Sequence, residues 1–378
     1  MNNPFIIKFW GVRGSHAAPG ERTVQFGGNT PCVEVRCGDG LVILDAGTGI
    51  ITLGRSLLQR GKQSGSPVEA ALCFSHLHQD HIQGFPFFTP AYLPSTRLHL
   101  FASKALEQPL ERVLAGSMRS PLFPVRLGEL GARKRFYALS ESSVVLLGPS
   151  VGGVKVCDAL SGGRSSFAPA VEGQAEAESL PPDVARLRTL RSSAHPGGVL
   201  VYRIEYRAQA VVYATDIEGY VDSDRRLAAF AQGAEVLIHD AQYTDAHYRG
   251  QVPGLPATQG WGHSTASMAC ALAQAASVRQ LVLFHHDPSY DDAAILAQQE
   301  QARQLFPNSL AAYEGLEIEL GRGEGDGESP AKLGRGEVVA GARPELSPLL
   351  ASPKCPAGHL GEVAGSRRGF RPARVEET

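Results

Sequence analysis

Residues 74–81 read Phe74-Ser75-His76-Leu77-His78-Gln79-Asp80-His81 and directly follow an apolar run. This stretch places three imidazoles and one carboxylate within six consecutive positions, and such groups are the ligands that suit zinc, manganese and iron. In an extended segment, His76, His78 and Asp80 project to the same side because they lie two positions apart, while His81 turns away toward a second ion. The pattern predicts a site for two metal ions.

The composition is that of a soluble globular protein. Of the 378 residues 43% are apolar, so the chain can bury a substantial core as one large domain or two of ordinary size. The formal net charge of -2 provides no basic field that would capture nucleic acid or a membrane surface through bulk charge. The sequence has no signal-peptide pattern and no run of about 20 apolar residues, so we expect no membrane partner.

The cysteines indicate a cellular compartment. They form no C-x-x-C pair, which argues against a zinc ribbon or a disulfide framework. A reducing compartment fits this pattern, and we expect a cytoplasmic protein. The six cysteines are Cys32, Cys37, Cys73, Cys157, Cys270 and Cys355.

The domain organisation follows from shifts in composition along the chain. Residues 1–321 carry the predicted strands and helices and are expected to form one domain. From about residue 161 to residue 191 the sequence is rich in Gly, Ser, Ala, Glu and Pro with few apolar residues, which predicts a flexible surface insertion. Residues 322–378 have many Gly and Pro and no periodicity, which predicts a disordered tail.

Histidine and aspartate recur at the ends of the predicted strands. Apolar strands that alternate with glycine-rich turns and helices indicate an α/β fold, in which functional groups lie on loops at strand ends. Two metal ions need about six or seven ligands, including a carboxylate that can bridge both ions. At a further strand end, Asp45 either orients a ligating histidine or caps the following turn or helix. The other candidates are His76, His78, Asp80, His81, His195, Asp216, Asp240, His263, His285 and His286.

The order of these residues resembles that of a known family. An H-x-H-x-D-H motif, a later His195 before Pro-Gly-Gly, Asp216 after a strand and a last histidine after an apolar strand are similar to the metallo-β-lactamase fold metallohydrolases. The chain most resembles the branch that contains ribonuclease Z and the phosphoribosyl cyclic phosphodiesterases, from about Phe5 to Leu320. The resemblance implies an α/β fold, a four-layer αββα sandwich of two mixed β-sheets flanked by helices.

The resemblance also implies a set of metal ligands and two divalent ions. Zn²⁺ is the expected metal, with Mn²⁺ or Fe²⁺ as alternatives. His286 remains an alternative to His285. The implied ligands are His76, His78 and His195 for the first ion, Asp80, His81 and His285 for the second, and Asp216 as the bridging carboxylate.

Two further segments match those that assist phosphoryl chemistry in ribonuclease Z. A His-Glu-Ala-Thr segment there corresponds to the altered His239-Asp240-Ala241-Gln242 here, and a His-Ser-Thr segment corresponds to His263-Ser264-Thr265. Asp240 would hold and polarise His263, which would contact a phosphate oxygen or protonate the leaving alkoxide. Asp80 would orient a hydroxide that the two ions generate from a shared water.

Several substrates are compatible with the resemblance. The leading hypothesis is a phosphodiesterase that cleaves a small or cyclic phosphodiester. The alternative is a ribonuclease-Z-like tRNA 3′-processing endonuclease with RNA as its partner. Ribonuclease Z, however, carries a substrate-binding arm between the residues that match His195 and Asp216, where only 20 residues occur here. Thioesterase- or lactamase-type hydrolysis and a non-catalytic metal-binding role rank behind these two. We also expect a homodimer.

Overall fold

The computed structural model describes residues 4–158, 180–219 and 224–321. The predicted tail, residues 322–378, lies outside the described residues, and so does most of the predicted insertion. In the part of the chain that is described, no helix is both long and apolar enough to cross a membrane.

The first sheet is mixed and has seven strands in the described residues. They are β1 Phe5–Gly11, β2 Cys32–Cys37, β3 Gly40–Leu44, β4 Glu69–Cys73, β5 Arg97–Ser103, β6 Arg133–Leu139 and β15 Glu317–Leu320. Their spatial order is β15-β1-β2-β3-β4-β5-β6. Strands β3 to β6 are parallel, so their carboxyl ends lie at one edge, and the other pairs are antiparallel.

The second sheet is also mixed and has eight strands in the described residues. They are β7 Ser143–Gly148, β8 Gly153–Asp158, β9 Ala185–Ser192, β10 Val199–Tyr206, β11 Gln209–Ala214, β12 Val236–Asp240, β13 Gln280–Phe284 and β14 Ser309–Ala311. Their order is β14-β13-β12-β11-β10-β9-β7-β8. Strands β11 to β14 are parallel to one another, which brings their carboxyl ends to a common edge.

The helices cover the outer faces of both sheets. One buried cluster lies between the sheets and includes Phe9, Val35, Tyr213 and Phe284. A second cluster packs α1 and α3 on the first sheet, and a third packs α4, α6 and α7 on the second sheet. The predicted four-layer αββα architecture is therefore confirmed. The helices are α1 Gly49–Ser64, α2 Gln79–Ile82, α3 Leu110–Ser117, α4 Arg225–Ala231, α5 Asp245–Tyr248, α6 Ala266–Ala275 and α7 Asp292–Leu305.

Strand β10 shows why a sheet forms between two layers. Tyr202 and Ile204 belong to the cluster between the sheets, whereas Val199 and Val201 belong to the cluster beneath the helices. Alternate side chains of a strand point to opposite faces, so a strand with apolar residues on both faces is stable only when both faces are covered.

The predicted insertion is wrong at its carboxyl-terminal end. Ala185–Ser192 forms strand β9, which pairs antiparallel with β10 and β7. Leu187 is fully buried between the sheets, and the alternating Arg186 and Arg188 lie half-buried on the other face, where both form ion pairs with Glu205. The arginines make this segment polar in sequence. Their ion-pair partner Glu205 lies on strand β10, so the sequence of β9 alone does not reveal that they belong to a strand.

Candidate metal centre

Strand ends from both sheets meet at one edge of the sandwich. His76 lies just after β4, and Asp240 is the last residue of β12. Asp45, Asp216 and His285 follow β3, β11 and β13, and all three have left-handed backbones, with φ of 61°, 53° and 63°. This conformation costs a non-glycine residue about 1–2 kcal/mol and is concentrated at functional sites. The backbone therefore bends sharply where each of these side chains enters the site.

One group of side-chain atoms has the dimensions of a metal site. His285 Nε2 lies 3.2 Å from Asp80 Oδ2 and 3.3 Å from Asp216 Oδ1. His81 Nε2 lies 3.3 Å from Asp80 Oδ2 and 3.2 Å from Asp216 Oδ1, and the two imidazole nitrogens are 3.3 Å apart. In a tetrahedral zinc site, ligands about 2.0 Å from the ion lie about 3.3 Å from one another. These four residues, Asp80, His81, Asp216 and His285, have the spacing of a tetrahedral site. They are called the second group, after the second ion that the sequence predicts.

The backbone of residues 76–81 differs from the extended segment expected from the sequence. His78 is the last extended residue, with φ -65° and ψ 157°, and caps the one-turn helix α2, which contains Asp80 and His81. The expectation that Asp80 projects to the same side as His76 and His78 is therefore wrong. The helical turn directs Asp80 and His81 together into the second group, because consecutive helical residues are only about 100° apart around the axis.

A first group of three histidines lies beside the second. His195 Nε2 is 3.0 Å from His78 Nδ1, and the ring of His76 packs edge-on against both of these rings. His76 Nε2 is buried and has no hydrogen-bond partner among the described residues. Asp216 Oδ2 lies 3.6 Å from His76 Nε2 and 3.8 Å from His195 Nε2, while its other oxygen belongs to the second group. Asp216 thus occupies the position that a bridging carboxylate requires.

The side-chain atoms of both groups fit divalent metal ions. A buried imidazole nitrogen without a partner, such as His76 Nε2, is costly unless an ion or a donor satisfies it. The donor atoms are imidazole nitrogens and carboxylate oxygens, a set that suits zinc. Among the described residues, four groups of side chains have ligand atoms within 4.8 Å of one another: His76, His78 and His195; His76, His81 and Asp216; Asp80, His81 and His285; and Asp216, Asp240, His263 and His285.

Asp45 orients His81 from outside the ligand groups. Its Oδ2 lies 2.8 Å from His81 Nδ1 and accepts a hydrogen bond from the Tyr213 hydroxyl at 2.8 Å, and its Oδ1 accepts one from the Ser75 backbone at 2.7 Å. A partner on Nδ1 fixes the imidazole so that Nε2 faces the ion. Of the two roles that the sequence left open for Asp45, this geometry favours the orientation of a histidine.

Gln242 orients His285 in the same way. Gln242 Oε1 lies 2.9 Å from His285 Nδ1, and the Gln242 amide donates to the hydroxyls of Ser15 and Tyr243. Sequence comparison marked Gln242 only as an altered position in a segment. The position of Gln242 two residues after Asp240 was the sequence feature that could have indicated a role. Its partner His285 lies on another strand end and could not be identified without the fold.

The two adjacent histidines after β13 face different environments. His285 Nε2 lies within the second group, whereas His286 Nε2 lies 3.0 Å from the carbonyl oxygen of Ala312, and the His286 ring packs edge-on against Phe26. Burial lowers the pKa of His286 to about 3, so this imidazole is neutral. The structure places His285, and not His286, among the candidate ligands.

Histidines and carboxylates of the second group shift the pKa values of one another. Burial lowers the pKa of His81, but the charges of Asp80, Asp216 and Asp45 raise it more, to well above its usual value. Burial likewise raises the pKa of Asp216, but the neighbouring histidines His285, His81 and His76 lower it further, to well below its usual value. Asp216 is therefore ionised, and the proton on His81 compensates part of the negative charge.

His263 lies beside the ligand groups and is held by Asp240. His263 Nδ1 is 2.7 Å from Asp240 Oδ2, and the other carboxylate oxygen accepts from the backbone of Ser264 at 2.9 Å and of Gln242 at 3.1 Å. Burial lowers the pKa of His263, but Asp240 and Asp216 raise it to about 9. His263 is therefore protonated at neutral pH, with Nε2 free of a partner within the described residues.

Glu218, for which the sequence gave no signal, supports the loop that carries His263. Its carboxylate accepts hydrogen bonds from the backbone of Gly260 at 2.7 Å and of Gly262 at 3.0 Å. The carbonyl oxygen of Gly262 in turn lies 3.1 Å from His195 Nδ1. One carboxylate outside the ligand groups thus positions both His195 and the loop that carries His263.

Residues 41–286 match the family model described as beta-lactamase superfamily domain. Among curated proteins, a ribonuclease Z from Ignicoccus hospitalis is 28% identical over 283 residues, which cover 71% of this chain and 85% of that protein.

Solved structures show the same fold. The metallo-beta-lactamase fold protein YhfI from Bacillus subtilis superposes with a TM-score of 0.55 at 15% identity and covers 84% of this chain and all (100%) of that one. Zn(2+)-bound PqqB from Methylobacterium extorquens superposes with a TM-score of 0.54 at 14% identity and covers 83% of this chain and 100% of that one. At these identities the similarity concerns the fold alone.

Proposed function

The chain belongs to the β-lactamase superfamily, and from this premise we propose that it is a dinuclear metal-dependent phosphodiesterase that hydrolyses a small or cyclic phosphodiester. The observation that carries the proposal is the position of Asp216 between the two ligand groups, with one carboxylate oxygen near His76 and His195 and the other near His81 and His285, and with a protonated His263 beside them. A phosphodiester carries negative charge, and cleaving it requires a proton for the leaving alkoxide. The site would supply positive charge, from the bound ions, to balance the phosphodiester and a proton, from His263, for the leaving alkoxide.

Seven residues would hold the ions. His76, His78 and His195 would bind the first ion, Asp80, His81 and His285 the second, and Asp216 both. Bound ions would lower the pKa of water and neutralise charge on the phosphoryl oxygens. We propose zinc, with manganese or iron as alternatives, because of the nitrogen and oxygen donors and because PqqB, which shares the fold, is described as zinc-bound.

The remaining roles belong to side chains of the chain itself. His263 Nε2 would donate its proton to a phosphoryl oxygen or to the leaving alkoxide, and Asp240 keeps that proton in place by pairing with Nδ1. Asp80 would accept a hydrogen bond from the attacking water and orient it. The backbone N–H of Ser15 donates to Asp80 Oδ2 at 2.8 Å, which fixes the carboxylate in this position.

A ribonuclease-Z-like endonuclease that processes the 3′ end of tRNA is the second candidate. The relative from Ignicoccus hospitalis, which bears that name, favours it. Against it, strands β10 and β11 occupy the interval between His195 and Asp216 and leave no room for a substrate-binding arm there. No observation on the described residues favours thioesterase or lactamase chemistry over these two candidates.

Metal content and a substrate panel test the proposal. We expect the purified, zinc-loaded chain to hold two ions and to hydrolyse bis(4-nitrophenyl) phosphate. His81→Ala should abolish this activity, whereas His99→Gln, which changes a histidine on β5, should retain it. A chain that binds no transition metal, or an active His81→Ala variant, would refute the mechanism.

The panel then ranks the substrates. Cyclic nucleotides, cyclic sugar phosphates and precursor tRNA should each be assayed with zinc and with manganese. Preferred cleavage of precursor tRNA would reverse the order of the two candidates. We also propose a cytoplasmic location, because all five cysteines of the described residues are free, as a reducing compartment keeps them. A homodimer is proposed as the oligomeric state. Light scattering tests the oligomeric state.

A further inference from the structure

A cavity of about 520 Å³ opens beside the first histidine group. His195 belongs both to this group and to the cavity wall. The volume lies in the range of small-molecule sites, about 300–1,000 Å³. A substrate whose scissile phosphate lies at the ligand groups would therefore extend into this cavity. Its lining residues include Arg191, Ser193, Pro196, Gly198, Glu218 and Gly260.

Arg191 is the positively charged residue of the cavity wall. It lies one position from the end of β9, and it forms no ion pair within the described residues, in contrast to Arg186 and Arg188 on the same strand, which pair with Glu205. The Arg191 guanidinium lies against Gly198, which has no side chain; a Cβ atom built at Gly198 would lie 2.8 Å from Arg191 Nη2. Arg191 is half-buried and has donors available for a ligand.

Glu218 does not neutralise this arginine. Its Oε1 accepts from the Tyr248 hydroxyl at 2.6 Å and from the Gly260 backbone at 2.7 Å, and its Oε2 accepts from the Gly262 backbone at 3.0 Å. These three donors stabilise the carboxylate in the wall of the cavity, and Glu218 makes no ion pair with Arg191. A second carboxylate, that of Glu141, accepts from the Arg191 backbone at 2.9 Å and pairs with Arg226 at 2.8 Å. The Arg191 guanidinium therefore remains the positive group of the cavity wall without an ion pair among the described residues.

We propose that Arg191 binds a second phosphate group of the substrate, on the nucleotide or sugar unit that occupies this cavity. The inference rests on the proposed phosphodiesterase function and specifies its substrate as a phosphodiester that carries a further phosphate one unit away. A planar guanidinium matches the geometry of phosphate and binds it through two parallel N–H donors. Among the described residues, no ion pair of Arg191 has to break when the phosphate binds.

A matched pair of nucleotides tests this subsite by calorimetry on the zinc-loaded chain. Thymidine 3′,5′-bisphosphate should bind about tenfold tighter than thymidine 5′-monophosphate, which is the effect of one charge-assisted interaction. Arg191→Gln should abolish this preference, whereas Arg188→Gln, on the same strand, should keep it. Equal zinc content and equal melting temperatures of the two variants establish that both are folded.

Three outcomes would overturn the inference: no preference in the wild-type chain, no measurable binding of either nucleotide, or the same preference in Arg191→Gln. Hydrolysis separates this result from the proposed function. If the wild-type and Arg188→Gln chains show the preference but cleave neither bis(4-nitrophenyl) phosphate nor the 4-nitrophenyl ester of thymidine 3′,5′-bisphosphate, the phosphodiesterase proposal fails and the phosphate subsite stands.

Discussion

Gly262 lies where a single methyl group would disturb the first histidine group. A Cβ at Gly262 would lie 2.2 Å from His195 Nδ1 and 2.8 Å from Pro196 Cδ. Ordinary contacts at such atoms exceed 3.4 Å, so His195 or the loop must move by about 1 Å in Gly262→Ala. The same movement would break the contact between the Gly262 carbonyl and His195 Nδ1, which is now 3.1 Å.

Gly260 provides a matched control in the same loop. Both glycines have left-handed backbones, with φ of 81° at Gly260 and 89° at Gly262, but a Cβ at Gly260 would meet nothing within 4 Å. Each alanine substitution should therefore destabilise the fold by about 1–2 kcal/mol through backbone strain. Only Gly262→Ala should also displace a histidine of the candidate centre.

The two variants should therefore separate stability from metal binding. We expect Gly262→Ala to bind one of two zinc ions about 10–100-fold more weakly, the usual effect of losing a partner of a metal ligand. Its kcat/KM should fall about 100-fold, as a displacement of about 1 Å implies. Gly260→Ala should show a similar fall in melting temperature with normal zinc affinity. Competition with a chromogenic chelator measures the affinities.

Two results would refute this reasoning. Wild-type zinc affinity in Gly262→Ala would mean that the His195 position does not depend on the loop. Equal loss of zinc affinity in both variants would assign the effect to backbone strain and not to the contact with His195.

Three further substitutions or measurements test other parts of the site. Asp240→Asn should lower kcat about 10²–10³-fold at unchanged zinc content. It should also move the alkaline limb of the pH–rate profile to lower pH, because Asp240 helps to raise the pKa of His263 to about 9 and the protonated form is active. An alkaline limb at the wild-type pH would contradict this. Gln242→Leu should weaken zinc binding about 10–100-fold, since it removes the acceptor that orients His285. Chelator competition measures this affinity, and a wild-type value would contradict the prediction. Zinc binding at pH 7 should release a proton from His81, whose pKa is raised, so the apparent affinity for zinc should rise with pH. Calorimetry in buffers of different ionisation enthalpy measures the number of protons released, and a value of zero would contradict this prediction.

The sequence alone determined the class of chemistry and much of the fold. The H-x-H-x-D-H motif predicts metal-ligand side chains because imidazole and carboxylate groups are the ligands that zinc and similar ions prefer. Apolar strands that end in His or Asp predicted an α/β fold, and the resemblance supplied the four-layer sandwich. These features are local: they depend on residue type and on spacing within one element.

Only the tertiary structure decided which residues meet. Adjacent His285 and His286 are equivalent in sequence, but the left-handed backbone of His285 directs it into the site and leaves His286 facing Ala312. The partners of Gln242 and of Glu218 lie on other strands or loops, so no local pattern reveals them. The alignment of neighbouring strands sets the distances between strand ends, and this alignment depends on contacts between residues far apart in the chain.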